Sequence, residues 1–223
     1  EELSLRGINV GLVTDLRGKR YTKNFPESVS QNVLNLQSPF GRGFLGFLES
    51  IFLIIKSIFR VIILIRTQKV KMVIGFGGYP TFPTLLASLL CRIPIIIHEQ
   101  NSVLGRVNKI FTRYSSLLTY GIDPIHATKG PPHYHNIGNP LRKDILNHNH
   151  KEYLPSVNDQ FTILVIGGSQ GASFISKVVP IAVKRIKLID RKRIMIYHQS
   201  GSQDIDLINK QYSKEKIKVE IKP

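Results

Sequence analysis

Cysteine and acidic residues are scarce in this sequence. The single cysteine, Cys91, lies in an apolar stretch and excludes a disulfide framework, which is typical of a reducing compartment. Only 15 Asp and Glu residues stand against 31 Lys and Arg residues, which leaves a formal net charge of +16. This excess indicates an anionic partner, such as nucleic acid, a phosphorylated ligand or acidic lipid headgroups, and simple solubility is the competing interpretation.

The signatures of several common protein classes are also missing. The first residues, Glu1 and Glu2, do not begin a secretory signal, and the glycine-rich turns fit neither the dinucleotide fingerprint nor the P-loop, which disfavours hydride transfer and nucleotide hydrolysis. The histidines of 126–150 lack cysteines or a firm helical pair, and Asp204-Ile-Asp206 is predicted to begin a helix. The basic segment 184–193 has no accompanying nucleic-acid motif. We therefore predict no metal, no cofactor and no nucleic-acid partner.

A strand that breaks through glycines into a helix is the most informative element of the second half. Residues Phe161 to Ile166 are mostly apolar or β-branched and predict a buried strand, and an apolar-periodic helix is expected to run to about Ile189. Backbone N–H groups and the helix dipole at such a turn favour phosphate. The predicted turn consists of Gly167, Gly168, Ser169, Gln170 and Gly171.

A second glycine turn occurs in the first half, within a predicted βαβ unit. A strand from Lys71 leads into Gly77, Gly78 and Tyr79, and a helix to about Leu90 is followed by a strand over 95–97. That strand ends in His98-Glu-Gln-Asn101, and ligands of parallel sheets bind at this carboxyl edge. His98 and Glu99 are neighbours in a strand and should face opposite sides, so at most one of them faces a ligand, and His98 could equally be structural.

The most apolar segment, Phe44 to Ile65, predicts an amphipathic helix rather than a membrane span. Glu49, Lys56 and Arg60 fall on one helical stripe, and three charges within a span would be costly. The remaining apolar arc is wider than one sheet face requires. A core helix and a helix that also enters a membrane interface are both compatible with this pattern.

The organisation of the chain predicts two α/β domains. We expect a first domain over 1–140, a linker over 141–160 and the beginning of a second domain over 161–223. The segment 123–137, rich in Pro, Gly and His, is predicted to be a loop. Because the chain begins without methionine and stops after a half-built sheet, we expect further sequence beyond both ends.

Four segments together resemble the MurG family, the bacterial glycosyltransferases that make lipid II. They are Ile74-Gly-Phe-Gly-Gly-Tyr-Pro80, Ile97-His-Glu-Gln-Asn101, Gly138-Asn-Pro-Leu-Arg142 and Val165-Ile-Gly-Gly-Ser-Gln-Gly-Ala172, and His198-Gln-Ser-Gly201 also fits the family's pattern. The resemblance implies a GT-B-type α/β fold of two Rossmann-like domains with parallel sheets, both incomplete here. It implies transfer of N-acetylglucosamine (GlcNAc) from UDP-GlcNAc to lipid I with inversion and without a metal. It also implies a peripheral protein on the anionic cytoplasmic face of the plasma membrane.

The same resemblance implies roles for individual residues. Asn101, Arg142 and Ser169 match the family's donor-binding positions, with Arg142 placed to stabilise charge on the departing nucleotide. Gly77, Gly78 and Tyr79 match the loop that faces the lipid-linked acceptor. The family's first glycine loop, with its candidate general base, has no counterpart in the sequence, so we nominate no base. A non-catalytic remnant that binds membrane or partners is the alternative.

Overall fold

The chain folds into two compact units, residues 1–148 and residues 149–223. The computed structural model describes residues 2–23, 25–37, 43–124, 134–141, 145–146, 160–167, 172–200, 205–215 and 217–222. Each unit has its own hydrophobic core.

The first unit contains two parallel sheets. Strands β1 and β2 form one sheet, and β3, β4, β5 and β6 form the other in that order. The strands are β1 (Gly11–Asp15), β2 (Ser30–Leu34), β3 (Val73–Gly75), β4 (Ile95–Glu99), β5 (Leu117–Tyr120) and β6 (Tyr134–Asn136). The helices are α1 (Glu2–Leu5), α2 (Gly43–Thr67), α3 (Phe82–Leu90) and α4 (Arg106–Phe111), with single 3-10 turns over Gly18–Tyr21, Tyr79–Thr81 and Thr112–Tyr114.

Helix α2 confirms the amphipathic helix predicted from the apolar segment. Its buried side contributes Val61 and Ile65 to a core shared with Leu34 and with Ala87 of α3, whereas Glu49, Lys56 and Arg60 are exposed. The charges therefore lie on one solvent-facing stripe, as their spacing requires. None of the described helices is both long and apolar enough to cross a membrane.

The four-stranded sheet follows the predicted βαβ arrangement, with one correction. Ile95 and Ile97 of β4 pack with Leu118 of β5 and Leu85 of α3, which is typical of buried parallel strands. The segment 123–137 is not entirely loop, because Tyr134–Asn136 forms β6 and pairs with β5. This strand has only three residues and all of them are exposed, so it carries no pattern of apolar residues that would have predicted it.

The described part of the second unit forms a three-stranded parallel sheet, β7-β8-β9, with helices packed against it. The strands are β7 (Phe161–Val165), β8 (Ile194–Gln199) and β9 (Lys218–Lys222), and the helices are α5 (Ala172–Val183), α6 (Leu188–Arg191) and α7 (Ile205–Ser213). Strand β7 forms where it was predicted but is not buried as expected, because among the described strands it pairs with β8 alone and Phe161 and Leu164 remain exposed.

The long helix predicted after the second-half glycine turn is shorter than the sequence indicates. The apolar period extends to about Ile189, but α5 ends at Val183 and a separate turn, α6, follows. The Arg191 guanidinium explains the break, because it donates hydrogen bonds to the carbonyls of Lys184 at 2.6 Å and Ile186 at 2.8 Å. These carbonyls lie where the helix ends and would otherwise lack partners.

Candidate functional site

Four parallel strands of the first unit end at one edge of their sheet, and the candidate residues follow them. Gly77, Gly78 and Tyr79 follow β3, and Asn101 follows β4, which is the arrangement predicted from the sequence. Gly121 follows β5 and Asn139 follows β6. The carboxyl edge of a parallel sheet is where such folds bind ligands.

The Glu99 carboxylate is the centre of this edge. The residue is only 2% exposed, and both carboxylate oxygens accept hydrogen bonds. Oε1 accepts from the backbone N–H and the Nδ2 of Asn101 at 3.1 and 3.0 Å, and Oε2 accepts from the Gly105 N–H at 2.9 Å and from Asn108 Nδ2 at 2.8 Å.

These contacts decide the charge of Glu99. Burial by itself would raise the pKa of the carboxyl, but the bonds from Gly105, Asn108 and Asn101 outweigh it and hold the pKa below its ordinary value of 4.5. The group is therefore ionised at neutral pH, with both oxygens engaged in bonds that organise the loop. This arrangement suits a structural centre and not a general base.

Asn101 is exposed at the end of this network, and the orientation of its side-chain amide is determined. A carboxylate can only accept hydrogen bonds, so the amide nitrogen must be the atom that faces Glu99. The carbonyl oxygen Oδ1 consequently points away from the carboxylate. Asn101 thus offers an acceptor at the carboxyl edge.

The Gly77–Gly78 turn requires glycine. Both residues have positive φ angles, +81° and +77°, which side chains strongly disfavour. A Cβ atom on Gly77 would also lie 2.7 Å from Asn108 Nδ2, so the turn packs directly on the residue that supports Glu99. Asn108 Oδ1 is buried and has no hydrogen-bond partner among the described residues.

Tyr79 is positioned by its own hydroxyl. Its Oη donates a hydrogen bond of 2.6 Å to the carbonyl of Gln37, beyond the end of β2. Burial raises the pKa of Tyr79 above its usual 10.0. The hydroxyl therefore stays protonated and is already engaged within the protein.

His98 points to the face of β4 opposite Glu99, as the alternation of a strand requires. Its imidazole is buried, with Nδ1 2.9 Å from Thr119 Oγ1, Nε2 3.4 Å from Asn139 Oδ1, and the Phe76 ring edge-on at 5.6 Å. Asn139 Nδ2 also donates to the carbonyl of Gln100. His98 is thus a satisfied, buried histidine that connects β4 to the Gly138–Asn139 segment.

The structure also identifies residues that the sequence did not single out. Asn108 and Thr119 hold Glu99 and His98, and Gly121 has no room for a side chain because a Cβ there would overlap the Asn139 amide. Asn139 is part of the Gly-Asn-Pro motif, but its partner lies 41 residues earlier in the chain. Only the three-dimensional fold brings these two together.

Most of the donor-side candidates lie outside the described residues. This holds for Arg142, Gly168, Ser169, Gln170 and Gly171, while Gly167 follows β7 as predicted. Helix α5 begins at Ala172. Among the residues that the structure describes, no three His, Cys, Asp or Glu side chains are grouped to hold a metal ion.

Comparison with known families assigns both units. The model of the glycosyltransferase family 28 N-terminal domain matches residues 1–117, and that of the family's C-terminal domain matches residues 162–223. The UDP-N-acetylglucosamine–N-acetylmuramyl-(pentapeptide) pyrophosphoryl-undecaprenol N-acetylglucosamine transferase of Rhizobium rhizogenes is 35% identical over 227 residues. That alignment covers 100% of this chain and 59% of the relative, so the chain spans well under two thirds of that protein's length. The transferase of the same name from Agrobacterium fabrum is 34% identical, with 99% and 58% covered.

Solved structures agree with this assignment. The crystal structure of MurG from Acinetobacter baumannii matches with a TM-score of 0.67 and 25% identity, over 100% of this chain and 62% of that one. A structure of MnaA from S. aureus with UDP, 15% identical, matches with a TM-score of 0.52 over 95% of this chain and 68% of that one, which shows likeness of fold alone. The predicted GT-B-type fold class, with Rossmann-like parallel sheets, is confirmed. The chain belongs to glycosyltransferase family 28.

Proposed function

We propose that the protein carrying this chain transfers GlcNAc from UDP-GlcNAc to lipid I, with inversion, to give lipid II for peptidoglycan synthesis. The observation that carries the proposal is similarity along the whole chain, at 34–35% identity, to transferases named for this reaction. The ordered carboxyl edge of the first unit supports it, because Asn101 and the Gly77–Gly78 turn lie where such a fold would receive its ligands.

The residues that this proposal assigns to donor binding are Asn101, Arg142 and Ser169. The segment 167–171, which the sequence predicts to be a glycine turn, precedes α5 in the chain, and the N-terminus of this 12-residue helix carries partial positive charge suited to the UDP diphosphate. The Arg142 guanidinium would stabilise negative charge that develops on the departing nucleotide. Gly77, Gly78 and Tyr79 would face the lipid-linked acceptor. No metal is invoked, since the arginine and backbone N–H groups supply the compensating charge.

The donor assignment is tested with Arg142→Ala in the whole gene product. We expect kcat/KM for GlcNAc transfer to a lipid I analogue to fall by about 10²-fold, because a charge stabiliser of the transition state is lost. Arg113→Ala is the matched control, since Arg113 is exposed and precedes β5, at the sheet edge opposite the site. Unchanged transfer by Arg142→Ala would remove Arg142 from the donor site. A wild-type protein that binds membranes but transfers no sugar would favour the non-catalytic alternative.

We also place the protein on the anionic cytoplasmic face of the membrane, through α2. Large apolar side chains remain exposed along one face of this helix, with Phe52 66% and Phe59 63% exposed. They are Phe44, Leu45, Leu48, Phe52, Ile55, Phe59 and Ile63. Lys56 and Arg60, on the same stripe as Glu49, border one side of this face, which we call the exposed apolar face of α2. An apolar face bordered by cations fits a helix that lies in the headgroup region.

The C-terminal end of α2 adds further positive charge. A pocket of about 330 Å³ there is lined in part by Arg66, Lys69, Lys71 and Arg92. Anionic headgroups would be attracted to these cations as the helix approaches the membrane.

A further inference from the structure

The Glu99 carboxylate accepts two hydrogen bonds from Asn101, one from its backbone and one from its side chain. One carboxylate oxygen receives both the backbone N–H and the side-chain Nδ2 of Asn101, and the other receives Gly105 and Asn108. The loop from Asn101 to Gly105 is thus fastened at both ends to one buried anion. Asn101 itself is exposed, so without the bond to Glu99 its side chain would be free to rotate in solvent.

Only an ionised carboxylate fits this position. Among the described residues, the four groups that hydrogen-bond to Glu99 are all N–H donors, and a carboxylate has two oxygens that can each accept two bonds. A glutamine side chain has nearly the same shape but turns one of the two oxygens into a donor. That donor would face either the Asn101 pair or the Gly105 and Asn108 pair, with no acceptor opposite it.

We infer that Glu99 is a positioning residue for the nucleotide-sugar donor, because it locks Asn101 with its Oδ1 acceptor facing outward. The inference rests on the proposed function, in which Asn101 contacts UDP-GlcNAc. Glu99 itself makes no contact with the ligand. Asn101 in this orientation is prepared to accept a hydrogen bond from a hydroxyl or N–H group of the donor, without loss of side-chain entropy on binding.

A double-mutant cycle tests this relationship. UDP-GlcNAc affinity is measured by calorimetry on the whole gene product for wild type, Glu99→Gln, Asn101→Ala and the double variant. We expect Glu99→Gln to weaken binding about tenfold in the wild-type background, which corresponds to one well-formed hydrogen bond. In the Asn101→Ala background the same change should have almost no effect. An equal tenfold loss in both backgrounds would overturn the inference.

A second buried carboxylate supplies the matched control. Glu215 is held by Arg191 at 2.8 Å in the other unit, near the ends of α5 and α6. Glu215→Gln should reduce stability but leave UDP-GlcNAc affinity unchanged, and an equal loss of affinity would show general destabilisation and overturn the inference. If Glu99→Gln does not fold, Glu99→Asp replaces it in the cycle, because aspartate keeps the charge and displaces it by one methylene. The same coupling to Asn101 is expected, and additivity would again overturn the inference.

Failure of the inference is distinguishable from failure of the proposed function. Wild-type protein that does not bind UDP-GlcNAc contradicts the proposed function. Wild-type binding that is lost in Arg142→Ala, together with additive effects of Glu99→Gln and Asn101→Ala, contradicts only the role of Glu99.

Discussion

His198 Nδ1 lies 2.9 Å from the hydroxyl of Tyr212, and both side chains are almost completely buried in the second unit. On the other side of the ring, Nε2 lies 3.1 Å from Ser176 Oγ, so β8 is joined to α5 and α7 by polar contacts inside the core. Burial lowers the pKa of His198 below 6.5 and raises the pKa of Tyr212 to about 12. Both groups are therefore held neutral in the folded protein.

The lowered pKa of His198 predicts a stability that depends on pH. In the unfolded chain His198 takes up a proton near pH 6.5, whereas the folded protein resists protonation until a lower pH. The unfolded state then binds more protons, so the free energy of unfolding should fall as the pH drops below about 6.5, by at most about 1.4 kcal/mol per pH unit. Above this pH the contribution is complete. Urea unfolding between about pH 5.5 and 7.5 measures the effect. A His198→Gln variant with an unchanged pH dependence would contradict the assignment to this residue.

The geometry of the Gly77 turn predicts that adding one methyl group at this position lowers the free energy of unfolding markedly. Gly77→Ala combines a φ of +81° with a close contact to Asn108, and we expect a loss of about 1–3 kcal/mol in the free energy of unfolding. Gly43→Ala is the control, because Gly43 has a φ of +67° but no atom within 4 Å of the position that a Cβ would occupy. Urea unfolding of both variants separates the effect of backbone strain from that of the steric clash with Asn108. Equal losses would mean that contact with Asn108 contributes nothing.

The exposed apolar face of α2 predicts vesicle binding that depends on two side chains. Phe52→Ser combined with Phe59→Ser should lower partitioning onto phosphatidylglycerol vesicles about tenfold or more, since each ring loses apolar burial in the bilayer interface. Co-sedimentation measures the bound fraction. Phe161→Ser is the control, because Phe161 is equally exposed at 66% but lies on β7. The same loss of binding in the control would contradict a specific role for α2.

The electrostatic part of this binding has its own test. Recovery on phosphatidylcholine vesicles at low salt should be clearly lower than on phosphatidylglycerol, because Lys56, Arg60 and their basic neighbours are attracted only to the anionic surface. Equal recovery on both lipids would contradict the role of charge.

The sequence was sufficient to predict elements with strong local patterns. Helix α2, strand β4 and the opposite orientation of His98 and Glu99 follow from local sequence patterns. Strand β6 was missed because three exposed residues form it through pairing with β5 and not through their own composition. The early end of α5 was missed because Arg191, eight residues beyond Val183, determines it.

In the candidate site, too, some features were predictable from the sequence and others were not. Its position at the carboxyl edge was predictable from the order of strands and glycines. The four donors around Glu99, and the contact between His98 and Asn139 across 41 residues, depend on loops that the fold brings together. No local sequence pattern predicts such contacts.

The separation of the two sheets in the first unit has a mechanical consequence. Within the described residues, β1 and β2 share no strand pairing with β3 to β6. They are joined to the rest by apolar packing of Leu34 with Val61 and Ile65 of α2, and by the hydrogen bond from Tyr79 Oη to the carbonyl of Gln37, which follows β2. Helix α2 therefore connects its exposed apolar face to the β1–β2 pair. In the proposed membrane-bound state, a displacement of α2 would therefore act directly on these two strands, and through the Tyr79–Gln37 bond it would also reach the glycine turn after β3.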